Sequence, residues 1–155
     1  MESFVIAPLK NRFFSLIYEL FLILGVLFPS TLLYLFFFDN ELGLKLWLMF
    51  VLGFYFCGLW IKSGQTLAMK TWNLKIVHFT GTKILLKKAV LRFTLAWLWF
   101  LPGLTIAYFL KAKGWDMLFF PTINTIFIFL LTFFDKEKQF IHDRLSGTRI
   151  IHTKK

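Results

Sequence analysis

Between Phe13 and Phe38 the chain reads FFSLIYELFLILGVLFPSTLLYLFFF, an apolar run that contains a single acid, Glu19, and carries Arg12 at its mouth. A helical span needs about 20 consecutive apolar residues, so this run is long enough to cross a bilayer. An ionised carboxylate in hydrocarbon costs about 3 kcal/mol on insertion scales and more in simulations, so Glu19 requires a cation, a proton or a wet cavity. At a helical rise of about 1.5 Å per residue, Glu19 lies roughly 10 Å deeper than Arg12, inside the membrane but short of its centre.

The rest of the chain fits the same solvent. Of 155 residues 58% are hydrophobic and 21% aromatic, more apolar surface than one water-soluble domain can bury. Four long apolar runs, rather than short alternating segments, select helices over a barrel. The predicted fold class is therefore an all-α integral membrane protein of four transmembrane helices, about 13–38, 44–61, 90–111 and 117–134, in a single membrane domain over 1–155. The first run is about twice as long as a signal-peptide core and lacks a small-residue cleavage site, so it is expected to be retained. The one cysteine, Cys57, lies in an apolar run, which excludes a disulfide framework and a thiolate metal site.

Pro29 and Gly25 predict a tilt or kink in helix one, and Pro102-Gly103 a kink or a turning back of helix three. Gly53 and Gly58 in helix two allow a neighbour to approach closely. From Lys62 to Arg92 the chain is basic and holds no acid. Ser63 or Thr66 is placed to cap a short helix reaching Trp72. LKIVH and TKILL, on either side of Thr80-Gly81, predict a small hairpin or a bent amphipathic segment. Its apolar residues Leu67, Trp72, Leu74, Ile76, Phe79, Ile84 and Leu85 are expected to rest on the membrane surface.

All but Lys45, Lys111 and Lys113 of the eighteen Lys and Arg lie in the N-terminal arm, this middle segment and the tail. Because cytoplasmic loops collect Lys and Arg, both termini and the basic amphipathic segment between helices two and three are predicted to be cytoplasmic. That topology gathers Arg12, Glu19, Arg92, Asp143 and Arg144 at one face of the bilayer. Glu19 paired with Arg92 or with Arg12 satisfies the acid, since a guanidinium is the cation best suited to partly dry sites. Three roles remain open for the group: structural ion pairs docking helix one to helix three and the tail, a proton or cation relay centred on Glu19, and recognition of anionic lipid or substrate by the arginines.

His142, Asp143 and His78 lack the fixed helical spacing of a metal site, so no metal and no cofactor is assigned. Ser63-Gly64-Gln65-Thr66 is no phosphate loop, and no nucleophile and base can be paired, so no catalytic residue and no enzyme activity is assigned. Held against an anionic leaflet, each exposed lysine contributes about 1 kcal/mol of attraction, which makes membrane lipids with anionic headgroups the expected partners and leaves nucleic acid without a role.

Arg12 with an acid seven residues on, GQTLAMKTWNLKIV after helix two, Arg92 at the start of helix three, and HDRLSGTRII after the last helix together resemble the RDD family of bacterial membrane proteins. The resemblance spans most of the chain, and the closing motif is its most specific part. It places the family's arginine at Arg12, its first aspartate at Glu19 and its second at Asp143. Glu19 departs from the pattern by one methylene, and Ala68 stands where the family usually has glycine. The resemblance implies a multi-pass protein of the bacterial inner membrane, with cation/proton exchange as the suggested activity. A chain of four short helices without visible repeats is small for a complete transporter, so transport implies a homo-oligomer. The alternative is a non-catalytic membrane scaffold or assembly protein whose buried charges are structural pairs.

Overall fold

The computed structural model describes residues 5–98, 100–132 and 140–153. Helix α1 runs Leu9–Phe37, four residues earlier than the apolar run alone indicates, because Pro8 at its N-cap fixes the backbone for entry. Helix α2, Glu41–Ser63, starts where the Asn40 side chain accepts hydrogen bonds from the amides of Leu42 and Gly43 at 3.0 and 3.2 Å. It stops at Gly64, whose φ of 72° is the left-handed conformation that terminates helices. The two helices are antiparallel neighbours. The Trp47 indole donates to Ser30 Oγ at 2.9 Å, and the Tyr55 hydroxyl donates to Glu19 Oε1 at 2.8 Å.

After Gly64 the chain doubles back. Thr66 caps the short helix α3, Leu67–Thr71, through the Met69 amide at 3.2 Å, as its position in the sequence predicts. Strand β1, Leu74–His78, follows, then helix α4, Leu86–Leu98, helix α5, Leu101–Phe109, helix α6, Asp116–Leu131, helix α7, Ile141–Leu145, and strand β2, Thr148–His152. The stretch Leu86–Phe109, holding α4 and α5, joins α1 and α2 as the third segment long and apolar enough to cross a membrane. Helix α6 has 16 described residues, about 24 Å against a hydrocarbon core of about 30 Å. The end of the fourth predicted span, 133–134, lies outside the described residues.

Three sequence expectations are corrected here. The protein is mostly helical but not all-α, because LKIVH forms a strand. That strand does not pair with TKILL. The turn at Thr80-Gly81 does form, with the His78 amide donating to the Thr82 carbonyl at 2.9 Å. Beyond it, β1 pairs antiparallel with TRIIH of the tail, Ile76 opposite Ile150, so that the buried faces of both strands meet. The N-terminal arm flanks the other edge of β2, where the His152 amide donates to the Val5 carbonyl at 2.9 Å.

The second correction concerns the middle segment. Leu74, Ile76 and Ile84 are buried in a core with Trp60, Met69, Ala89, Phe140 and Ile150, whereas Leu67, Phe79 and Leu85 are exposed and Trp72 is half-buried. Half the predicted surface face is thus interior, because β2 supplies it with a partner. Third, the change in helix three falls ahead of Pro102 and not at it, with Phe100 in a turn and α5 beginning at Leu101. Pro102 sits in the first turn of α5, where its missing amide costs nothing, and Gly103 packs on α6. A Cβ at Gly103 would lie 2.6 Å from Pro121 Cα, so the two helices cross only over a glycine. Of the two glycines in α2, Gly53 faces the Phe93 ring at ordinary contact distance and Gly58 meets nothing within 4 Å. Away from the core, α1 and α2 expose Phe21, Phe28, Phe36, Phe50 and Phe54, the surface of helices made for lipid.

Candidate functional site

At the sealed end of the helices, Asp143 is fully buried on α7 and Arg92 is 4% exposed on α4. Arg92 Nη1 donates to Asp143 Oδ1 and lies 2.9 Å from Thr148 Oγ1, to which it also donates. Its guanidinium carbon stands 4.9 Å from the centre of the Trp60 ring, a cation–π contact that covers the charge from the side of α2. His142 Nε2 approaches the same Asp143 oxygen at 3.1 Å, while the histidine ring stacks on Phe140.

The closing motif folds around this pair. The Ser146 hydroxyl lies 3.1 Å from the Asp143 carbonyl and 2.8 Å from the Thr148 hydroxyl. Gly147, with φ of 68°, turns the chain from α7 into β2. Arg12 is also buried, and its Nη2 donates to the Ile150 carbonyl at 3.2 Å. Its positive charge is felt at both Asp143 and Arg92. Burial alone works against a charge on Asp143, but Arg92, then His142 and Arg12, outweigh it and hold the carboxyl below the usual carboxylate range. Arg144, grouped with these residues in the sequence, is exposed on α7.

Glu19 forms a separate centre. It is 7% exposed and accepts from two neutral hydroxyls, Tyr55 on Oε1 at 2.8 Å and Thr66 on Oε2. The expected pairing of Glu19 with Arg12 or Arg92 is therefore not the one the protein makes. Both arginines are turned to the tail, where α7 offers a carboxylate and β2 a hydroxyl and a carbonyl. Thr66 has two tasks at once, donating to Glu19 while accepting from the amide of Met69. Ala68, two residues on in α3, is fully buried.

In the sequence Tyr55 and Trp60 have no part in the site, Thr66 is placed only as a cap, and Ser146 and Thr148 only within the closing motif. Tyr55 had a detectable signal. In two antiparallel helices joined by a tight turn, residues equidistant from the turn face each other, and Glu19 and Tyr55 stand nearly symmetrically about Phe37 and Phe38. For the others nothing in the sequence names the partner, since a hydroxyl or an indole carries no charge that points to one. Among the described residues no three His, Cys, Asp or Glu side chains gather as metal ligands would.

Fold and site together define a helical protein with membrane-length helices, sealed at one end by a buried arginine–aspartate pair that ties the third helical segment to the tail. The chain belongs to the RDD family, whose family profile matches residues 6–147. Neither the curated proteins nor the solved structures returned a match.

Proposed function

We propose that this protein spans the bacterial inner membrane four times with both termini in the cytoplasm, and exchanges a cation for a proton, as a homo-oligomer, through Glu19. No catalytic residue, metal or cofactor enters this reading. One observation carries it: Glu19 is a buried acid in a membrane-length helix whose partners are hydroxyls, not cations. A carboxylate locked to a guanidinium is held in its charged form. Hydroxyls fit both forms, because Tyr55 and Thr66 donate to the carboxylate and can accept from the acid. Two carboxylate oxygens and two hydroxyl oxygens are also the hard donors that suit a small cation.

Proteoliposomes with an imposed proton gradient test the reading. Wild-type protein is expected to give sodium-, potassium- or lithium-dependent proton flux above empty vesicles, and Glu19→Gln, which keeps size and hydrogen bonding, is expected to abolish it while remaining folded. Absence of flux with all three ions removes the exchanger reading. Flux that survives Glu19→Gln removes Glu19 as its site.

The second reading, a membrane scaffold, is favoured by a different observation: the Arg92–Asp143 pair is fully enclosed and built into the tail motif, as a structural clasp would be. A scaffold keeps its function in Glu19→Gln and loses it when the clasp is broken. Topology is checked by labelling a cysteine placed at the exposed turn residue Thr80, which is expected to react only from the cytoplasmic side.

A further inference from the structure

Beside α1, on the flank of α3, lies an open groove made of two adjoining hollows of about 310 and 450 Å³, sharing Tyr18 and Thr71. Trp72 closes one end, and Leu22 and Leu67 line the other, with Lys70 on the rim. Trp72 stacks on Phe14 at 5.1 Å and 14° between planes, and Lys10 Nζ stands 6.0 Å from the centre of the same Phe14 ring. An aromatic platform with a cation thus caps a trough that becomes aliphatic along α1. From Lys10, beside the aromatic platform, to Leu22 in the second hollow is about 18 Å along the helix.

The charge here is one-sided. From Lys62 to Arg92 the chain has no acid. Among the described side chains, Glu19 and Asp143 are buried with their carboxylates turned to protein donors, and the exposed carboxylates Asp39 and Glu41 sit at the opposite end of α1 and α2. Lys70 is exposed on a stem long enough to lie along the apolar wall and keep its ammonium in the headgroup layer. Indole and phenol rings such as Trp72 and Tyr18 favour that same layer.

We propose that this groove binds one anionic phospholipid, its phosphate held by Lys70 with Lys10 nearby, its headgroup against Trp72, and the upper part of an acyl chain along Tyr18, Leu22 and Leu67. Charge selects the anionic class, and the change from aromatic and cationic to aliphatic selects a lipid over a soluble phosphate. The site stands independently of transport through Glu19, since it rests on a surface and not on titration.

The full chain is reconstituted in phosphatidylcholine vesicles containing a fixed minor fraction of either brominated phosphatidylglycerol or brominated phosphatidylcholine. The fluorescence of Trp72 is isolated as the difference between wild type and Trp72→Phe. Quenching of that difference signal is expected to favour phosphatidylglycerol about fivefold in relative affinity. Lys70→Gln is expected to bring the preference close to parity, while Lys45→Gln, at the far end of α2, leaves it unchanged. A second readout uses no tryptophan variant: mass spectrometry of the detergent-extracted protein is expected to find one phosphatidylglycerol retained per chain in wild type and none in Lys70→Gln. Equal quenching by the two lipids, a preference that survives Lys70→Gln, or equal retention by both proteins overturns the proposal.

Discussion

The guanidinium of Arg12 donates to the carbonyl of Ile150, 3.2 Å away in space and 138 residues later in the chain. This bond joins the first turn of the first membrane-length helix to the last strand. It explains why an arginine stands at the mouth of an apolar run. The group anchors the tail, and Glu19 is left to find its own donors.

Breaking the clasp is expected to be costly. Asp143→Ala leaves Arg92 charged, buried and uncompensated, which amounts to a loss of about 3–5 kcal/mol. Arg92→Met combined with Asp143→Ala removes the stranded charge, so the double variant is expected to lose less than the sum of the two single changes by more than about 1 kcal/mol. Chemical unfolding in detergent measures this cycle, and strict additivity would show that the pair is not coupled.

Acid is expected to open the same clasp. The Asp143 carboxyl titrates below its ordinary value in the folded protein. Its contribution to stability is therefore complete above the unfolded value of about 4 and disappears as pH falls through the lower folded value. Thermal stability measured downward from about pH 5 is expected to fall more steeply for wild type than for Asp143→Asn, whose side chain has no proton to gain. Parallel curves would contradict the assignment.

The hydroxyls around Glu19 are expected to matter unequally. Tyr55→Phe deletes one hydrogen bond to Glu19, worth about 0.5–3 kcal/mol across the neutral and charged forms of the acid. Thr66→Ala deletes a comparable bond and also the cap of α3, a further loss of about 1 kcal/mol. The melting temperature in detergent is expected to fall for both, and further for Thr66→Ala. If Tyr55→Phe melts with the wild type, the carboxylate is not held as described.

Glycine positions supply a contrast. Gly103→Ala places a methyl against the backbone of Pro121 and is expected to cost about 1–3 kcal/mol, as overpacking does. Gly58→Ala, in the helix interior with open space around it, is expected to be neutral or slightly stabilising. The two variants, compared by the same melt, report on the α5–α6 crossing.

Much of this architecture was legible beforehand because hydropathy is a local property. A run such as 13–38 declares its solvent whatever surrounds it, and the clustering of Lys and Arg brought Arg12, Arg92 and Asp143 to one end before any coordinates. Thr66 was legible as a cap for the same reason. Pairing is not local. LKIVH looks for a strand partner, and TKILL across a turn is the nearest choice, yet TRIIH more than seventy residues away matches its buried face. The rules of charge also misdirected the reading of Glu19. They search for a cation, whereas the protein satisfied the acid with hydroxyls, which carry no charge to search for.

The pairing of β1 with β2 also sets a schedule. Chains emerge N-terminus first and fold in that order, so α1, α2 and α4 are made while the strand that completes the sheet is still unsynthesised. Through that interval Arg12 and Arg92 lack the carbonyl of Ile150, the hydroxyl of Thr148 and the carboxylate of Asp143 that they hold in the finished protein. Formation of the membrane-length helices and closure of the clasp are therefore separate events in biogenesis. An interrupted chain carries two arginines without their tail partners, an unfinished state that a cellular protease or chaperone can recognise.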